Sequence, residues 1–234
     1  MRKFVKFLVV VILITLSIGL LVIGNGYNMY KNSIQETPLQ EKVEEIESKE
    51  NYVKLQELPQ IYLNAVISVE DHRFYKHNGI DIIAIGRALF NDIRAMSFVE
   101  GGSTITQQIA KNEYFTQEKK ITRKVAEVFM AFEIEKNYDK NKILELYVNT
   151  IYFGDGYYNI KDAAYGYFKK SINNLTDGEW IMLAGIPNAP SVYAPTKNPD
   201  LAKQRQRQRQ VMEKMIENEY LTEDEANEIL RQAE

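Results

Sequence analysis

Three groups of polar residues in this chain combine types and spacings that can do chemistry. Between Leu63 and His77, a helical repeat puts Leu63, Val66, Ile67, Glu70 and Phe74 on one face. A carboxylate set in an apolar stripe is costly to ionise, so desolvation raises its pKa and suits it to take a proton near neutral pH. The same pattern also fits a buried glutamate paired with an arginine or with backbone donors. Downstream, Thr104, Gln107, Gln108 and Lys111 fall at i, i+3, i+4 and i+7, a polar stripe opposite Ile105 and Ile109. Gly101-Gly102-Ser103 precede it, and free N–H groups at a helix start, with a lysine beyond, can hold a phosphate. Thr104 and Gln107 equally fit a capping box, and the glycine-to-lysine spacing is not that of a Walker A loop. Third, Arg123 and Glu127 stand at i and i+4. On an open surface that pair contributes about 0.3–0.5 kcal/mol, but Met130 and Ile134 beside it point to a cleft or a second packing surface.

The elements that must position these groups are helical. From Leu58-Pro59 onward the apolar spacing is close to 3.6 almost to the end, with no long alternating run and no internal repeat. Glycine and proline at Gly101-Gly102, Gly154-Asp155-Gly156 and Pro187 to Pro199 mark loops. A mainly α domain follows. The helix from Ile121 to about Tyr138 is expected to bury Ile121, Val125, Val128 and Phe132. Ile82 to Met96 gathers Ile82, Ile85, Leu89, Ile93 and Met96 on one side; a core-facing helix is the expectation, docking on a membrane surface the alternative. The Gln204 to Arg209 run scatters its arginines and reads as a solvated face. His72 and His77 are too few and badly spaced for a zinc site.

Ahead of the domain, Arg2, Lys3 and Lys6 precede an uncharged stretch from Phe7 to Ile23, long enough with its flanks to cross a hydrocarbon core of about 30 Å. The leading positive charges favour a cytoplasmic amino terminus, and no A-x-A-like cleavage site follows. The sequence therefore divides into an anchor (1–24), a polar acidic stalk (25–51) whose glutamate-rich run reads as a solvated segment or a short helix, and the domain (52–234). The net charge of −3 argues against a nucleic-acid binder. Without cysteine, the 234 residues offer no disulfide, thiolate metal site or thiol nucleophile.

Five segments then resemble, in order, the motifs of the family 51 glycosyltransferases, the peptidoglycan-polymerising domains of class A penicillin-binding proteins and their single-domain relatives. They are Glu70-Asp71-His72-Arg73-Phe74-Tyr75 with His77, Gly79 and Asp81; Gly101 to Gln108 with Lys111-Asn112; and Arg123-Lys124-Val125-Ala126-Glu127. The fourth is Lys142-Ile143-Leu144-Glu145 with Tyr147-Val148-Asn149 and Gly154, where Val148 replaces the usual leucine; the fifth is Ala184-Gly185-Ile186-Pro187 with Ala189-Pro190. The likeness implies a lysozyme-like, mainly α fold with a membrane-touching lobe, held outside the cytoplasm by one transmembrane helix. It implies lipid II and the growing glycan strand as partners at the membrane, with other cell-wall synthesis proteins nearby. By the same likeness Glu70 is the general base and Glu127 a second essential carboxylate, aiding pyrophosphate departure directly or through a divalent cation such as Mg or Mn. Lys111, Arg123 and Lys124 fall near the pyrophosphate. Asp71, Ser103, Thr104, Gln107 and Gln108 fall at the substrate site, and Asn149 and Tyr152 on the cleft wall. The transpeptidase signatures S-x-x-K, S-D-N and K-T-G are absent, which implies the monofunctional type. Two rivals remain, a lytic hydrolase using the same carboxylates and an inactive scaffold.

Overall fold

The structure is a computed structural model that describes residues 2–96, 101–116, 120–197 and 201–232. Among them every regular element is a helix, and the sole β feature is an isolated bridge between Gly154 and Tyr157. The first half runs α1 (Arg2–Glu36), α2 (Leu39–Glu47), α3 (Gln60–Glu70), α4 (Ile82–Ala95), α5 (Ile105–Tyr114) and α6 (Ile121–Asn137). The second runs α7 (Lys140–Thr150), α8 (Ile160–Phe168), α9 (Asp177–Gly185), the single turn α10 (Pro190–Tyr193), α11 (Ala202–Glu217) and α12 (Glu223–Gln232). Tight turns join them, most sharply where Gly154, Asp155 and Gly156 take φ of 96°, 52° and 87°.

α3 lies at the centre. It buries Tyr62, Leu63, Ala65, Val66 and Ile67, and α9 and α11 pack against it, with the Trp180 ring 5.0 Å from Tyr62. On the other side α5 packs between α6 and α7, and α7 is buried without a break from Ile143 to Thr150. Each large apolar side chain so enclosed contributes about 1.5–3 kcal/mol, which is why short helices of modest intrinsic propensity hold together here.

α1 is the one described helix long and apolar enough to cross a membrane, and between Phe4 and Ile23 all its residues but Gly19 and Val22 are exposed. It does not stop at residue 24. The helix continues to Glu36 and packs on α6, where a Cβ on Gly26 would lie 2.6 Å from Val125 Cβ, so only glycine permits this approach. Tyr27 and Tyr30 close the seam against Phe129, at 5.2 and 6.0 Å between ring centres. In the acidic segment the short-helix alternative is the one the structure takes. α2 buries Leu39, Val43 and Ile46 beneath its glutamates, and Glu47 reaches Lys142 of α7 at 2.5 Å.

Two helix faces differ from the expectation. α6 turns Ala126, Glu127, Met130 and Ile134 into the core, while Ile121 and Phe132 are exposed, the reverse of the predicted face. The reason is that α6 is apolar on both sides, because α1 covers the face carrying Val125 and Phe129. α4 is not core-facing either. Ala88 is its one buried residue, and Ile82, Ile83, Leu89, Phe90 and Ile93 all stand exposed. Its start is nonetheless well made. Asp81 accepts from Ile83 N and Ala84 N, and Arg73 Nε pairs with the other carboxylate oxygen at 2.9 Å.

Candidate active site

A cleft of about 980 Å³ opens between the ends of α3, α5 and α11, and Glu70, Ser103, Gln108, Lys111, Asn188 and Arg207 line it. Glu70 is the last residue of α3, so the negative end of the helix adds to the cost of its charge. Its Oε2 accepts from Gln108 Nε2 at 2.7 Å, whereas Oε1 is buried with no hydrogen-bond partner among the described residues. Desolvation is the largest influence and holds the carboxyl above its ordinary range, against the opposing pull of Gln108, Arg207 and Lys111. The carboxylate is therefore desolvated, aimed and only half satisfied, as a proton acceptor should be.

The start of α5 shows why its polar stripe divides in two. Thr104 and Gln107 form the capping box: Gln107 N donates to Thr104 Oγ1 at 3.2 Å, and Thr104 N to Gln107 Oε1 at 3.1 Å. Thr104 Oγ1 also donates to Gly79 O at 2.6 Å. Both side chains are buried and serve the framework. Asp71, next to Glu70, touches the cleft edge, but its oxygens are committed to Ile105 N and to His77 Nε2, each at 3.0 Å. It fastens the turn after α3 to the head of α5. Gln108 and Lys111 are the members of the stripe that reach the cleft.

Behind the cleft lies the third group. Glu127 is 1% exposed, with Arg123 Nε 3.0 Å from Oε1 and Lys124 Nζ 3.0 Å from Oε2. The arginine contact has ion-pair distance but not hydrogen-bond alignment, so Arg123 Nε and Glu127 Oε1 each lack a hydrogen bond. Arg123 donates instead through Nη1 to Thr116 O at 2.9 Å. Lys124 Nζ also donates to Ser103 Oγ at 2.6 Å, which ties the buried carboxylate to the cleft wall. Lys111 feels the charges of Glu127, Lys124, Arg123 and Glu70, so both carboxylates act on it. Desolvation lowers its pKa, and among the described residues no carboxylate pairs with it. A half-buried ammonium without a counter-ion favours an incoming anion.

These residues do not fit a protein-built divalent cation site. No group of three His, Asp, Glu or Cys side chains among the described residues could cage a metal, and both oxygens of Glu127 already face cations.

Asn149 and Tyr152 do not line this cleft. Asn149 is 2% exposed in the buried part of α7 and makes all four of its hydrogen bonds, to Val53 N and O, Glu145 O and Asn159 Nδ2. Tyr152 follows α7 on an outer surface, its ring 4.7 Å from Tyr158. Arg207 is the residue the sequence reading passed over. Its Nε donates to Gly185 O at 3.2 Å, its guanidinium lies 5.5 Å from the Tyr193 ring centre, and it faces Glu70 across the cleft. The signal lay in Gln204, Gln208, Val211 and Met215, spaced as the buried face of α11, which sets Arg207 at its border.

The sequence model of a family described as transglycosylase matches residues 36–216. Penicillin-binding protein 1F of Bacillus subtilis (strain 168) is 45% identical over 174 residues, covering 74% of this chain and 24% of the relative. Penicillin-binding protein 1A of Neisseria gonorrhoeae is 42% identical over 186 residues, 80% of this chain and 23% of the relative. The chain thus spans about a quarter of the length of these curated relatives. With the matched region running from the end of α1 to residue 216 in α11 and holding Glu70, Gln108, Lys111 and Arg207 of the cleft, the chain belongs to the transglycosylase family found in penicillin-binding proteins of the 1A and 1F types.

Proposed function

We propose that this protein polymerises lipid II into glycan strands outside the cytoplasm by inverting transfer. The carrying observation is Glu70, a desolvated carboxylate with one oxygen unbonded, in the same cleft as Lys111 and Arg207. Glu70 takes the proton of the acceptor's sugar 4-hydroxyl. The freed oxygen attacks the anomeric carbon of the donor from the face opposite its diphosphate, a new C–O bond forms, and the bond to the lipid pyrophosphate breaks with inversion. Lys111 neutralises the charge gathering on the leaving group, with Arg123 and Lys124 behind it. Glu127 is the counter-ion that holds those two in place, and Gln108 fixes the rotamer of Glu70.

A lipid-borne substrate calls for a membrane-bound enzyme, and α1 as anchor with the exposed apolar face of α4 as a second contact meets that need. A hydrolase of neutral glycan would have no use for the cations beside Lys111.

The test is incubation of the purified protein with lipid II, followed by sizing of the glycan. The wild type lengthens glycan, and Glu70→Gln loses about 10²–10⁴ in rate, the usual contribution of a positioned general base. Polymerisation by Glu70→Gln at the wild-type rate, or cleavage of finished strands in place of synthesis, rules the proposal out.

A further inference from the structure

Beyond Arg207, helix α11 continues along the same wall of the cleft. Lys214 lies two turns further on the same face, about 10 Å along the axis, and Asn218 follows one turn later. Lys214 Nζ stands 2.5 Å from Glu217 Oε2, with the two side chains 54% and 60% exposed. Asn218 donates its Nδ2 to Lys214 O at 2.7 Å, which fixes its side chain at the helix end. An exposed i,i+3 pair of this kind is worth at most about 1 kcal/mol, so it parts easily for a ligand that brings both charges.

These groups differ in kind from the rest of the cleft. A sugar is neutral and is recognised through hydroxyl hydrogen bonds, with no need for adjacent opposite charges. A diphosphate calls for cations alone, and Lys111, Arg123 and Lys124 supply those at the other side of Glu70. A lipid-linked sugar of the class proposed above has one further charged part, the peptide branch, whose chemistry is carboxylate, amide and ammonium. A cation, an anion and a fixed amide on one wall match that branch.

We propose that Lys214, Glu217 and Asn218 form a subsite for the charged peptide branch of the sugar unit lying in the cleft. Lys214 receives a branch carboxylate, Glu217 an ammonium or amide N–H, and Asn218 the peptide backbone. The subsite rests on lipid II as substrate, and it makes discrimination between branches a property of α11 instead of the residues around Glu70. Specificity of this kind is read in kcat/KM ratios.

The full-length protein in lipid vesicles is given lipid II with a complete branch and lipid II whose branch is cut back to one amidated residue. The ratio of kcat/KM for the two substrates is measured for wild type, Lys214→Ala and Glu217→Ala. Wild type favours the complete branch, and each variant lowers that ratio about three- to tenfold, the range for partly exposed charge-assisted bonds. Both residues are exposed on a helix end, so the variants fold. A ratio unchanged in both variants overturns the subsite while leaving polymerisation intact. Absence of polymer from wild type with either substrate defeats the glycosyltransferase reading itself, and the subsite with it.

Discussion

Replacing Lys111 by methionine separates a residue kept for chemistry from one kept for folding. The side chain is half-buried beside α6, its ammonium is desolvated, and no carboxylate pairs with it among the described residues. Its folded pKa is depressed, so the charged form is penalised by folding. That penalty is present in full below the folded pKa and fades as pH rises towards the unfolded value. Methionine keeps the stem's length and apolar contacts and removes the charge, so at neutral pH the fold should be unchanged or firmer by up to about 1 kcal/mol. Activity should move the other way. A preorganised charge facing a developing anion is worth about 3–4 kcal/mol, or about 10²–10³ in kcat. Chemical denaturation and glycan synthesis from lipid II, measured on one preparation, read the two effects. Parallel loss of stability and activity would refute the reasoning, since it would make Lys111 part of the scaffold.

Three further outcomes are expected. Because burial raises the pKa of Glu70 and the base must be ionised, the acid limb of the kcat/KM profile should lie above the ordinary carboxylate range, with activity lost as pH falls through it; a limb at the ordinary value contradicts the tuning. Asn149→Leu should cost about 2–4 kcal/mol in denaturation by stranding Val53 and Glu145 backbone groups, with kcat per folded molecule retained. Phe90→Asp with Ile93→Asp should leave the denaturation midpoint unchanged and lower polymerisation in vesicles at least about tenfold, since two side chains each worth about 1.5–3 kcal/mol in apolar surroundings are lost and α1 alone is left to hold the domain at the membrane; unchanged activity would mean that α4 stays in water.

Local physics was readable in the residues, and partnership between elements was not. The capping box of Thr104 and Gln107 needs only four consecutive residues, so its pattern and its geometry agree. The apolar stripe of Leu63, Val66 and Ile67 was equally plain, although α3 is enclosed on further sides and also buries Tyr62, Ala65 and Ser68. α6 has two apolar faces. Val125 and Phe129 meet α1 while Met130 and Ile134 meet the core, and one hydrophobic pattern cannot say which partner takes which side. α4 shows the same limit, for an apolar face reads alike whether it meets core or lipid. Asn149 looked like a cleft residue by position in its motif, yet its four hydrogen bonds reach residues up to 96 positions away. Arg207 was hidden because every second residue of its run is an arginine, and only the tertiary fit of Gln204 and Gln208 selects one.

The unbroken α1 has a mechanical consequence. At about 1.5 Å per residue its 35 residues span about 52 Å, of which a hydrocarbon layer takes about 30 Å. The remainder is a rigid mast, clamped at Gly26 to the helix that bears Arg123, Lys124 and Glu127. With α1 as the proposed anchor, the altitude of the cleft above the lipid headgroups would be preset, and under the proposed reaction encounters with a tethered sugar would become a search within a plane instead of through a volume.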